Sequence, residues 1–267
     1  MTRPPPSQTG HGLPRRDRIA IISGLLGVAA LAWIYLIVMA SGMDMPTAEV
    51  AGRAALKLHA WKAFDFWLMF LMWAVMMVGM MLPTAIPMTL IHAAVGRKAA
   101  GQGTPVAPTA AFVSGYVVIW TVFSVGATAA QFALDQAALL SPRLVSSSPA
   151  LGAALLVAAG LYQFTPLKTA CLDHCRSPVH FISEHWRPGS VGAFRMGIEH
   201  GAFCLGCCWV LMGLLFFGGV MNLLWIATIS GFVLFEKLLS EGRLASRVAG
   251  VALIALGATV VGSGWVT

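Results

Sequence analysis

The stretch Gly197-Ile-Glu-His200-Gly-Ala-Phe-Cys204-Leu-Gly-Cys207-Cys208-Trp209 opens an apolar run over about 197–217. A run of this length and polarity reads as a membrane-spanning helix. At about 100° per residue, His200, Cys204, Cys207 and Cys208 fall within roughly a 100° arc of it. The span therefore carries soft ligands along one face. From His200 to Cys208 the helix rises about 12 Å, too far for one ion with bonds near 2.0–2.3 Å to use all four. Cys204 with Cys207 or Cys208 can share an ion if other segments complete the shell.

Similar runs recur along the 267 residues, of which 58% are hydrophobic and 10% charged. A soluble domain usually carries about 25% charged residues. The mean hydropathy is +0.80. These values predict an all-α, polytopic transmembrane helical bundle of about seven spans. The expected spans cover about 19–40, 64–95, 110–136, 150–170, 197–217, 220–239 and 248–265. Residues 1–18 read as a basic, proline-rich disordered tail, and 19–267 as a single transmembrane domain. Residues 47–62 read as an amphipathic helix lying in the interface. It follows the short Met43-Asp44-Met45 stretch.

The net charge of +7 is explained by topology rather than by a nucleic-acid partner. Thirteen of the 17 Lys and Arg fall on the side that holds the N-terminus, and the rest on the other. The positive-inside rule then places the N-terminus in the cytoplasm. The expected location is a bacterial inner membrane, with the lipid bilayer as the main partner.

The remaining cysteines form a second group. Tyr162-Gln-Phe-Thr-Pro166-Leu-Lys168-Thr-Ala-Cys171-Leu-Asp-His174-Cys175-Arg-Ser-Pro178 ends the fourth span, and Pro166 threatens its helix. Residues 176–196 read as a polar connection holding His180 and His185. The span over 64–95 holds seven methionines, with Met69, Met72, Met76 and Met80 along one stripe, followed by Pro83 and Pro87. Gly218-Gly219 marks a tight turn. The sixth span ends in Glu236-Lys237, where an acid in the membrane points to function or to an ion pair at the boundary. Glu199 is placed to orient His200 or to face headgroups.

Thiolate, imidazole and thioether together suit Cu(I), and Cys with His also suits zinc. The candidate metal ligands are Cys171, His174, Cys175, His200, Cys204, Cys207 and Cys208, with Met72, Met76, Met80 and Glu236 as further donors. Buried Cys and Met also serve simply as packing. A rival reading is a membrane thiol-disulfide oxidoreductase using Cys204, Cys207 and Cys208 with Cys171 and Cys175. On the metal reading the protein is not itself an enzyme.

Three segments, Trp73–Met88, Tyr162–Pro178 and Gly197–Trp209, with Met221-Asn222 and Glu236-Lys237, carry a resemblance. Over about 60–240 the chain resembles a bacterial family of metal-binding integral membrane proteins, formerly a domain of unknown function. That family includes a membrane copper chaperone for tyrosinase. The resemblance implies metal binding, and beyond it copper handling as chaperone or transporter for a copper-dependent client enzyme.

Overall fold

The computed structural model describes residues 13–43, 62–141, 144–239 and 241–262. Most of the expected tail, Asp44 and Met45, and the amphipathic segment up to residue 61 lie outside the described residues. Helix α1, Arg15–Met43, starts within the expected tail, so the Arg15–Arg18 run is helical. Asp17 lies in its first turn, where a helix N-terminus favours an acid. Asp17 also pairs with Arg97.

Helix α2, Ala63–Met81, is capped by the Lys62 main-chain N–H donating to Asp65 at 2.9 Å. Pro83 then interrupts the α-helical ladder, and a 3-10 turn over Pro83–Ala85 leads into α3, Ile86–Gly101. Helix α4 covers Thr109–Gln136. The expected fourth span is broken where Pro166 stands. Helix α5, Pro149–Tyr162, and α6, Pro166–Arg176, meet at a bend of 64°. The region expected to be a polar connection is mostly helical, with α7 at Pro178–His185 and α8 at Gly189–Gly213. Pro178 opens α7, where its fixed φ suits a first helical turn, and Pro188 is the extended N-cap residue of α8.

A one-turn helix, α9 at Leu215–Gly218, ends at the expected glycine turn, where Gly219 adopts φ +100°. Such a φ is open to glycine at little cost. Helices α10, Leu223–Leu238, and α11, Gly242–Gly262, complete the chain.

The expected count of seven spans is not confirmed. Among the described residues five helices are long and apolar enough to cross a membrane: Arg15–Ser41, Ala63–Gly101, Thr109–Gln136, Gly189–Gly218 and Gly242–Gly262. The bent α5–α6 pair makes a sixth if taken as one span. Helix α10 falls short because its 16 residues rise about 24 Å, against a hydrocarbon core of about 30 Å.

The methionine-rich face of α2 lies inside the bundle. Met72, Trp73, Met76, Met77, Met80 and Met81 are all fully buried. Trp73 donates its indole N–H to Gln131 at 2.7 Å, and the Gln131 amide reaches the Met69 sulfur at 3.3 Å. Gln131→Leu would leave the Trp73 donor unpaired in an apolar core. The expected loss is about 1–3 kcal/mol, read as a lower unfolding midpoint in detergent, and Trp73→Phe in the same chain should recover part of it. An unchanged midpoint in the single variant would contradict this account.

Candidate metal centre

The thiol face expected of α8 is buried: Cys204, Cys207 and Cys208 are each 1% exposed or less. One helical turn brings the Cys207 and Cys208 thiols onto the Cys204 carbonyl, each at 3.0 Å. The Cys204 sulfur is thereby left for groups from other helices. Lys237 of α10 donates to it at 2.8 Å, and the Tyr116 hydroxyl of α4 lies 3.0 Å away. An ammonium on a sulfur is the pairing expected of a thiolate.

The end of α2 closes this side. Tyr116 donates to the Met81 carbonyl at 3.0 Å, as does Thr84 at 2.8 Å, and Lys237 also donates to Thr84 at 3.3 Å. The proline-induced 3-10 turn therefore places Thr84 beside the Cys204 contact.

The second cysteine group reaches the same place from α6. Cys175 is half-buried and packs against the core cluster that holds Cys204 and Cys207. Cys171, one turn earlier, packs its sulfur on α8 at Gly206, where an added Cβ would lie 2.6 Å from it. The Gly206 carbonyl accepts from the Tyr162 hydroxyl at the end of α5. The bend at Pro166 thus lets α5 and α6 both meet α8. All five cysteines are free thiols.

The other expected donors are arranged differently. Glu236 faces Lys168, whose ammonium donates to both carboxylate oxygens at 2.9 Å, while Ser246 donates to Oε1 at 2.6 Å. Its carboxylate is committed to this network rather than to the thiols. Met80 lies one turn before Thr84. Met72 stands about 12 Å further along α2, beyond reach of an ion at the same sulfurs. Glu199 pairs with Arg187 at 2.7 Å through one carboxylate oxygen.

His200 is buried among aromatic rings, and its Nδ1 has no hydrogen-bond partner. Its ring centroid lies 5.6 Å from Tyr116 and 5.9 Å from Phe112. His92, on the other side of Phe112, is fully buried with both ring nitrogens unpartnered. His174 is half-buried and stacks on Phe203 at 4.2 Å.

Lys237, Tyr116 and Thr84 escaped the sequence reading as site residues. A lysine next to an acid inside an apolar run was the one available signal. Among the described residues, no three His, Cys, Asp or Glu side chains converge closely enough to hold an ion. The arrangement is a buried thiol cluster whose central sulfur faces an ammonium.

The chain matches the family described as PpoB2, copper chaperone, over residues 70–260. This interval contains both cysteine groups, Tyr116, Lys168 and the Glu236-Lys237 pair. No curated protein and no solved structure matches the chain. With the match covering well over half of its length, the chain belongs to the PpoB2 copper chaperone family.

Proposed function

We propose that this protein holds Cu(I) within the membrane, as chaperone or transporter, between a pair of sulfurs drawn from Cys175, Cys204 and Cys207. Cys171, Cys208 and His200 stand next to these and extend the donor set. The observation that carries the reading is the Lys237 ammonium on the buried Cys204 sulfur. Cu(I) held by two thiolates, the thiol protons having left, carries one net negative charge, and the Lys237 ammonium stays beside it to balance that charge. Burial favours such a balance, because an uncompensated charge in a low-dielectric interior is costly. Thiolates favour Cu(I), and the oxygen donors preferred by harder ions are scarce at these sulfurs. Zinc is the competing metal for a Cys and His set. Met80 is the methionine best placed to assist, with Met72 and Met76 as later positions on a path along α2.

The charge distribution supports a bacterial inner membrane with the N-terminus in the cytoplasm. A chaperone role implies a copper-dependent client enzyme, and nothing in the charge pattern calls for nucleic acid. Thiol-disulfide exchange is the weaker reading. Exchange needs an incoming thiol to reach a sulfur, and Cys204, Cys207 and Cys208 are sealed from solvent.

Anaerobic titration of the detergent-purified chain with Cu(I), against a chromophoric chelator, tests the proposal. The wild type should retain copper, and Cys204→Ser/Cys207→Ser should weaken retention by about 100-fold or more, beyond the 10–100-fold typical of losing an orienting partner. Stoichiometric zinc with no Cu(I) uptake would sink the copper claim. Redox trapping addresses the rival: cysteines that cycle through disulfides during copper transfer would favour exchange chemistry.

A further inference from the structure

The five histidines among the described residues belong to one ring cluster. His92 and His200 flank Phe112 in the interior. His200 also meets Phe181, which stacks on His185 at 4.7 Å. His174 stacks on Phe203 and lies 6.3 Å from His180 between ring centroids. The cluster runs from His180, whose side chain is 60% exposed, to His200, which is 3% exposed and four residues from Cys204.

The hydrogen bonds of the outer rings define their free nitrogens. His174 Nδ1 lies 2.8 Å from the Ala170 carbonyl. A carbonyl only accepts, so Nδ1 carries the hydrogen and the neutral ring keeps its lone pair on Nε2. Main-chain anchoring of this kind is how ligand histidines are commonly oriented. His180 meets Glu184 through Nε2 at 3.4 Å, and its Nδ1 is the nitrogen left over. The spacing suits a shared ion. A bond of about 2.0–2.1 Å plus a ring radius of about 1.2 Å on each side allows centroids up to about 6.5 Å apart.

We propose that His174 and His180 form a transfer site for Cu(I), at which the ion pauses between an outside carrier and the buried thiols. The proposal rests on the copper reading above. Two imidazoles from the chain leave the shell open, and the carrier's own donor fills the remaining position. An open position is what ligand exchange requires: one bond to the carrier breaks for each Cu–N bond formed. Copper remains Cu(I), and the neutral imidazoles bind through lone pairs without releasing a proton. The next residue after His174 is Cys175, and Phe203, on which the His174 ring stacks, directly precedes Cys204. The transfer site therefore adjoins the thiol cluster through a single residue step.

Stopped-flow transfer of Cu(I) from bicinchoninate to the detergent-solubilised full chain tests this. His174→Ala/His180→Ala should slow loading by at least about tenfold, while the copper finally held per chain and its affinity match the wild type. His180→Ala alone should also slow loading, and its exposure makes it a safe check against misfolding. Wild-type rates in both variants would overturn the transfer site and leave the copper reading standing. Loss of capacity in a folded variant would overturn it too, by assigning these rings to the storage site. A wild-type chain that takes up no Cu(I) removes the copper reading, and the transfer site with it.

Discussion

Lys168→Met is expected to lower the stability of the folded chain by about 3–5 kcal/mol, the usual consequence of removing one partner from a buried ion pair. Both side chains are 1% exposed, and the ammonium bridges both oxygens of Glu236. Without it the carboxylate keeps only the Ser246 hydroxyl, which cannot balance a charge. The loss should appear as a lower unfolding midpoint in detergent. Lys168→Met/Glu236→Met should recover most of it, because the desolvation penalty disappears together with the attraction. The exposed Arg243–Asp173 pair is the useful contrast. It has good geometry at 2.6 Å, yet its side chains are 60% and 39% exposed, so breaking it should cost at most about 1 kcal/mol. The buried pair has a second consequence. It joins α6 to α10 at the residue next to Lys237, and so helps hold the Lys237 ammonium on Cys204. The single variant should therefore also hold copper less well. A Lys168→Met chain that melts with the wild type would mean that the pair contributes nothing to the fold.

Periodicity in the sequence identified which residues share a helix face, and it was sound where one helix decided the outcome. The Cys204, Cys207 and Cys208 arc is buried as a unit, Pro166 breaks its span, and Gly218-Gly219 turns the chain. What periodicity cannot contain is which faces meet. Glu236 and Lys168 are separated by 68 positions, and Lys237 and Cys204 by 33. The first pairing depends on the bend at Pro166 that aims α6, and both depend on where α10 sits. The count of seven spans goes unconfirmed for a related reason. Apolar composition over 220–239 resembles a span, but the helix that forms is only 16 residues long. The segment 176–196 looked polar because it carries charge, yet eight of its residues fold as α7 and put Phe181 between His185 and His200. Chemistry was thus legible as a set of residue types, whereas its arrangement arises from contacts between distant segments.

Gly197→Ala is expected to damage the fold and the thiol cluster together. A Cβ at Gly197 would lie 2.0 Å from the Phe112 carbonyl oxygen, and one at Gly115 would lie 2.2 Å from the Phe194 carbonyl oxygen. Both clashes are with main chain, so no side chain can swing aside. Helices α4 and α8 approach this closely because each presents a glycine to the other, the usual device where membrane helices pack tightly. Adding one methyl forces the helices apart, with a cost of about 1–3 kcal/mol for overpacking. The displacement reaches the site directly. Tyr116 follows Gly115 on α4, and Cys204 lies two turns beyond Gly197 on α8, so separation pulls the Tyr116 hydroxyl from the sulfur it meets at 3.0 Å. Gly126→Ala on the same helix α4 provides the comparison, because an added Cβ there meets nothing within 4 Å. That substitution should be neutral or stabilise by up to about 1 kcal/mol through helix propensity. Parallel unfolding and Cu(I)-retention measurements separate the two. A fall in both quantities for Gly197→Ala, with neither falling for Gly126→Ala, ties the copper site to the α4–α8 crossing. Equal behaviour of the two variants would mean that the crossing tolerates the extra methyl and does not hold Tyr116 against Cys204.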